Sequence, residues 1–392
     1  MNPLRLLSAA CSLLTSCALV ACSATAEAPP APPSEGVETP PTTAPAVADD
    51  AVFVSPIGDD EAAGTRAAPL RTLAHGVAVA RAGARRLTLC AGVFTEPLVL
   101  SAEHGADRFE VRGSAECQGI SPARSMVRTE HRPALEVFAV GGPILVRGID
   151  FVREDASVPG ESSVAGSIAF VDEAALDDVS LRAGTGSSAK GGSTVAVEPC
   201  DEPLDPRIPS HVGHTGAGAT RVGSLPGNWE PGAGEDGGVL RFPRSSRCVE
   251  PAFAAGAGGR GGGASLALLV RSSHVRLTRA VLESTAAGDG GDGGHAQAPS
   301  CDPLTQKSCE VLDIGGGGGG AGGVSAAIVH RHAIFDVDAS TKLLFGAPGR
   351  PGTGGRGARW LHGTAGIPGA AGSMLGAELF GDPAPAADDP QG

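Results

Sequence analysis

Tyrosine is absent from this chain, and aromatic residues make up only 3% of its 392 positions. With hydrophobic content at 41%, a core is possible, but it must be aliphatic. Sugar-cleaving clefts that rely on aromatic platforms have little to draw on beyond Trp229 and Trp360. A basic surplus is also missing. Acidic residues outnumber basic ones by 43 to 30, a formal net charge of −13, which argues against nucleic acid and anionic headgroups as partners. No Cys-x-x-Cys spacing occurs, so a zinc site is not indicated. No apolar run beyond the first 21 residues approaches the length of a membrane span.

Motifs of nucleophilic and phosphate chemistry are lacking in the same way. There is no Gly-x-Ser-x-Gly elbow. Ser187-Ser188-Ala189-Lys190 matches Ser-x-x-Lys, but in a Gly/Ser stretch without the partner motifs of that enzyme class. Gly256, Gly258 and Gly261 match Gly-x-Gly-x-x-Gly inside a glycine tract with no helix pattern after it.

What is present begins with an export signal. Arg5 is the one charge before Cys22, and Leu6 to Ala21 is uncharged and apolar or small. The run ends in Leu19-Val20-Ala21-Cys22, which resembles the lipobox of bacterial lipoproteins; Leu14-Thr15-Ser16-Cys17 is a weaker match. The resemblance implies cleavage after residue 21 and a lipid on Cys22, which anchors the chain to a membrane. Ser23 at the next position implies the outer membrane or cell surface. Ordinary secretion without lipid is the alternative. Residues 22–50 are rich in Pro and Ala and read as a disordered tether; 381–392 read as a disordered tail.

Six cysteines remain after Cys11, Cys17 and Cys22: Cys90, Cys117, Cys200, Cys248, Cys301 and Cys309. An even number in an exported chain predicts disulfides. Six allow 15 connectivities, of which nearest-neighbour pairing (Cys90–Cys117, Cys200–Cys248, Cys301–Cys309) is favoured.

The folded part opens at Val52-Phe53-Val54, a short strand. Leu70, Leu73, Ala74, Val77 and Ala80 then recur at helical spacing, predicting a helix from near Pro69 and Thr72 to Gly83. Strands follow at Leu87 to Cys90 and Leu98 to Leu100. The order Gly58-Asp59, Gly64-Thr65, Pro69-Leu70-Arg71-Thr72-Leu73 and Ala91-Gly92-Val93-Phe94-Thr95-Glu96 resembles an opening domain of unknown function that precedes right-handed parallel β-helices in secreted and surface proteins. The resemblance covers about fifty residues, 51–100. It implies a helix that caps the open end of a stack of strands.

Downstream, apolar residues alternate in short bursts, the period of strands. A phrase recurs from Gly166, from Ala264 and from Val324: strand, turn, strand, then a glycine-rich loop. The expected fold is all-β, a right-handed parallel β-helix over 51–380 with an N-terminal capping helix. Long Gly-rich loops at about 184–263, 286–323 and 346–373 are expected as coil, since such sequence lacks side chains to pack. Gly346 to Gly352 and Gly363 to Gly369 look collagen-like, but for too few triplets to sustain a triple helix.

Candidate ligands are few. Asp289 and Asp292 resemble part of a calcium loop, without the nonapeptide repeat of a calcium-binding roll. His211 and His214, and His330 and His332 on one expected strand face, lack a third ligand. Asp172, Glu173, Asp177 and Asp178 could supply a general acid and base. No cofactor is indicated. The expectation is a non-catalytic cell-surface lipoprotein of structural or adhesive role, binding polysaccharide or cell-envelope proteins. The alternative is a polysaccharide lyase or hydrolase on the same scaffold.

Overall fold

Thr72 starts the helix by accepting the His75 amide on its hydroxyl oxygen, and Gly83 ends it; the helix is Leu73–Ala82. Two carboxylates outside the helix complete its amino end. Asp60 accepts the amides of Arg71 and Thr72 at 2.9 and 2.8 Å and the Thr72 hydroxyl at 2.8 Å, and Glu96 accepts the Leu73 amide. Asp60 and Glu96, from segments on either side of the helix in sequence, thus place anionic groups at its N-terminus. Gly76 has no room for a β-carbon, which would collide with Val54, so glycine lets the helix lie directly on the first strand.

The structure is a computed structural model. It describes residues 50–83, 86–101, 109–114, 124–196, 219, 223–224, 230–233, 254–296, 315–357 and 362–376, all within one unit, Asp49–Gly392. It is mostly β, with three parallel sheets and little helix. The first sheet holds, in order, Val52–Val54, Arg86–Cys90, Phe109–Ser114, Ile144–Arg147, Ala174–Asp177, His274–Thr278 and Ile334–Val337. The second holds Gly92–Phe94, Ser125–Thr129, Ile149–Arg153, Ser180–Ala183, Val281–Glu283 and Lys342–Leu344. The third holds Leu98–Ser101, Leu135–Phe138, Ser163–Ala169, Ser265–Arg271, Ser325–Arg331 and Ala371–Gly376. From Arg86 onward the chain visits the sheets in fixed rotation: first, second, third, then the first again. Each circuit therefore contributes three strands, where the recurring phrase suggested two. The missed corners are single residues with left-handed backbone, Asp178 (φ 54°) and Arg279 (φ 50°), which carry no glycine to mark the turn.

Register stacks like on like. In the second sheet Phe94, Val127, Phe151, Leu181, Leu282 and Leu343 form one inward column. Leu87, Val111, Val146, Leu176 and Leu277 do the same in the first, and Val337, in register with them on the last strand, is 41% exposed. These columns meet in one aliphatic core. Arg153 extends inward at the end of its strand with 2% of its surface exposed. Its guanidinium bonds Glu161 at 2.9 Å and the Glu154 carbonyl at 2.9 Å. Glu161 also accepts the amides of Ser157 and Val158, so this buried pair closes the short loop from 154 to 162.

The described parts of the glycine-rich segments are not loose coil but are bonded to one another. Each leaves between the second and third sheets and returns to the same place. Their described parts run as six arms: 186–193, 256–264, 286–296, 315–324, 346–357 and 362–370. Every third residue bonds the next arm through its backbone. Gly288, Gly291 and Gly294 donate to Gly263, Arg260 and Ala257; Gly323, Gly320 and Gly317 donate to Gly288, Gly291 and Gly294. Gly349, Gly352 and Gly355 donate back to Gly323, Gly320 and Gly317, and Gly369, Gly366 and Gly363 donate to Gly349, Gly352 and Gly355. A second face bonds the same arm one circuit on, as when Gly290 and Gly293 donate to Arg350 and Thr353. Three residues per turn, with all these bonds sideways, is the habit of polyproline-II-type chain. The collagen-like triplets thus pack within one chain, side by side, and need no triple helix.

Room, rather than backbone freedom, selects glycine here. A β-carbon at Gly291, Gly320 or Gly355 would fall well inside 3.0 Å of a neighbouring arm's carbonyl oxygen. Gly64, Gly92, Gly148 and Gly160 are the described glycines with positive φ, and none lies in an arm. The unbroken run Gly315 to Gly320 belongs to the arm with neighbours on every side, which also accepts the Ala219 amide and donates from Ala321 to Gly232. Serines close the neck of each excursion. Ser265 donates to the Gly184 carbonyl and accepts the Thr285 amide; Ser325 donates to the Thr285 carbonyl and accepts the Gly346 amide. The last excursion ends slightly earlier than expected, at the strand beginning with Ala371.

Candidate functional site

On the outer face of the first sheet, strand alternation turns every second side chain to solvent. Glu110, Leu145, Ala175, Arg276 and Asp336 form one outward column, and Arg112, Arg147, Asp177 and Thr278 the next. Between them lies a shallow cleft of about 400 Å³, lined by Pro143, Leu145, Glu173, Ala175, Asp177 and Arg276 among others.

Of the four acidic residues singled out in sequence, Glu173 and Asp177 line this cleft, and Glu173, Asp177 and Asp178 are each ion-paired to arginine. Asp177 is 8% exposed. Arg147 reaches it from the preceding circuit at 2.8 Å and Arg279 from the corner after the following strand. Glu173 pairs with Arg276 at 3.3 Å. Asp178 pairs with Arg124 at 3.4 Å, and Arg124 also reaches Asp150 at 3.4 Å. Burial pushes the Asp150 carboxyl up against the opposing pull of Arg124 and Arg182. Asp172 is exposed at the turn that precedes this face. Sequence reading missed the arginines, because they come from circuits 30 and 102 residues away.

Asp289 and Asp292 sit on the exposed face of the arm 286–296, three residues apart. Asp289 accepts the Arg350 amide at 2.7 Å, and Asp292 accepts both the amide and hydroxyl of Thr353 at 2.7 Å. His295, one turn on, accepts the Arg356 amide on Nδ1 at 2.8 Å. The Thr353 amide and hydroxyl hold the Asp292 carboxyl below its ordinary range. Each side chain thus serves as a third row of bonds between arms. No group of three or more His, Cys, Asp or Glu that could hold a metal occurs among the described residues.

The remaining predicted residues are scattered. His330 lies in the strand Ser325–Arg331 and meets the Phe335 ring edge-on at 5.3 Å, whereas His332 lies past the strand's end with φ 51°. The two histidines therefore do not share a strand face. Ser187 and Lys190 lie on one arm, and their carbonyls accept the amides of Gly263 and Arg260. Cys90 is buried at the end of its strand and is one half of a disulfide. Cys22, Cys117, Cys200, Cys248, Cys301, Cys309, His211 and His214 lie outside the described residues. Among the described residues no helix is long and apolar enough to cross a membrane.

No family model, no curated protein and no solved structure matches the chain.

Proposed function

We propose that this chain is an exported, non-catalytic surface lipoprotein, held by a lipid on Cys22 and acting as a structural or adhesive module. The observation that carries the reading is the ion pairing of the acidic cluster. Asp177 is nearly buried and braced by the guanidiniums of Arg147 and Arg279, so it serves a contact between circuits rather than standing free in the cleft. The body is read as a right-handed parallel β-helix. Fixed rotation through three parallel sheets supports this, because parallel crossovers are right-handed in nearly all proteins. The helix Leu73–Ala82 packs on the first strands and is read as its cap. The lipobox and Pro/Ala-rich tether support display at a bacterial outer membrane or cell surface. Nearest-neighbour disulfides are proposed, with Cys117 as the partner of Cys90.

Polysaccharide or envelope proteins are the partners proposed. The test offers the oxidised protein to neutral and acidic polysaccharides, with and without calcium, scoring retention and product release together. Retention without release is the expected result. Release of shorter chains would replace this reading with a lyase or hydrolase acting at the cleft beside Glu173 and Asp177. Cys22→Ser is expected to move the protein from the membrane to the soluble fraction; unchanged fractionation would remove the lipid from the account.

A further inference from the structure

The bundle of arms has a first edge and a last edge, and the two end differently. At the first, the loop from 154 to 162 lies against the arm 186–193. Ala156 and Gly160 donate to the carbonyls of Thr185 and Ser188, and Ser187 donates to Glu161. The last edge is formed by the arms 346–357 and 362–370.

Each circuit of arms bonds the next through N–H groups at a fixed phase. Gly186, Ala189 and Gly262 donate onward to Ala286, Asp289 and Ala321. One circuit later Ala287, Gly290 and Gly322 donate onward to Ala347, Arg350 and Ile367. The phase of the last circuit is set by Gly349 and Gly369, which donate to the preceding arm as Gly288 and Gly323 do. The residues that should donate onward next are therefore 348, 351 and 368. All are proline, and Pro348, Pro351 and Pro368 are the only prolines in the six arms. Proline has no N–H to give, yet its fixed φ suits polyproline-type chain.

The side chains change in the same sense. Asp289 and His295 accept the amides of Arg350 and Arg356 from the next circuit. In the last circuit Arg350 and Arg356 themselves hold those positions, and both are exposed. A guanidinium offers no acceptor. Donor and acceptor are thus both withdrawn where the stack ends. An edge of unpaired backbone groups is a template for another chain, and proline and charge are the means by which sheets close such edges. The arms carry the same hazard, because they too bond sideways.

We propose that Pro348, Pro351 and Pro368, with Arg350 and Arg356, close the last edge of the bundle to a second copy of this chain. The loop 154–162 already covers the first edge, so the contact held off is between two last edges, related by a two-fold axis. The proposal is independent of what the chain binds and of its lipid.

The test is sedimentation velocity over a range of concentrations, on the full chain carrying Cys22→Ser. One variant restores donors and an acceptor with Pro348→Ala, Pro351→Ala, Pro368→Ala and Arg350→Asp. Alanine keeps the β-carbon that proline already places there. The control carries Arg350→Asp with the prolines intact. The expected result is a monomeric parent and control, with self-association strengthened at least about tenfold in the restored variant. A restored variant that stays monomeric, with amide exchange at Gly352 and Gly366 as slow as in the parent, overturns the proposal. So does one that stays monomeric with faster exchange there, because the prolines would then serve to stiffen the arms. Association of the control as strong as that of the restored variant, or a parent that already associates, also overturns it.

Discussion

In the three-sheet body, Phe151, Leu181 and Leu282 stack through their side chains; in the arms beside it, Gly291, Gly320 and Gly352 stack through their backbones. Body and arms follow one stacking plan, since each arm leaves from a strand end and returns to the next strand. The body gains roughly 25 cal/mol for each Å² of apolar surface buried. The arms bury little side chain and rely on bonds whose net worth is about 1 kcal/mol each, against the high entropy of glycine. Their order therefore depends on numbers of bonds and on anchoring at both ends, which the neck serines and the flanking strands provide. The body tolerates any aliphatic residue that fills its column. The arms tolerate almost none on their inner faces.

The two regions should accordingly fail in opposite directions. Phe151→Ala removes a fully buried ring and is expected to cost about 3–5 kcal/mol by chemical denaturation. Gly320→Ala adds a single methyl where a carbonyl already sits, and is expected to cost about 3 kcal/mol or more. If Gly320→Ala instead stabilises the protein, as relief of glycine entropy alone would predict, the backbone-packed arms are wrong.

A smaller effect would show how the regions are joined. Ser265→Ala leaves the Gly184 carbonyl and Thr285 amide without their shared partner, a cost of roughly 1–3 kcal/mol. Amide exchange should quicken in the arms around Gly291 and Gly320 and stay slow at Leu181 and Leu282. Uniform acceleration would mean that body and arms open as one unit.

The smallest effect is set by acid. Asp292 is held below the ordinary carboxylate range by the amide and hydroxyl of Thr353. Asp60 is nudged up by burial but drawn down further by Thr72 and Arg71. Both titrate lower when folded than unfolded, so their stabilising contribution is complete above the unfolded value near pH 4 and is lost as pH falls through the folded values. Asp292→Asn should flatten that loss in the arms and Asp60→Asn at the helix, each read from the pH dependence of local amide exchange. A variant with the parent's acid profile would show that its carboxylate plays no such part.

Much of the body is legible in the residues. The helix from Leu73 and its stop at Gly83 follow from apolar spacing and capping chemistry, and the strands follow from their period of two. The corners were hidden, because Asp178, Arg279 and Phe170 adopt a backbone usually signalled by glycine. The acidic cluster was visible but its meaning was not. Asp177 reads as a free carboxylate until Arg147 and Arg279 are brought to it by strand register.

Local sequence determined where strands and the helix begin, and it placed glycine at every third position of all the arms but 186–193, where Ala189 stands between Gly186 and Gly192. That spacing alone is compatible with loose coil, a triple helix or a bundle, because polyproline-type chain has no internal bonds to stabilise one outcome. Tertiary structure decided among them. Stacked circuits bring successive necks to one edge of the body, and only then do Gly291, Gly320 and Gly352 come within bonding reach of one another.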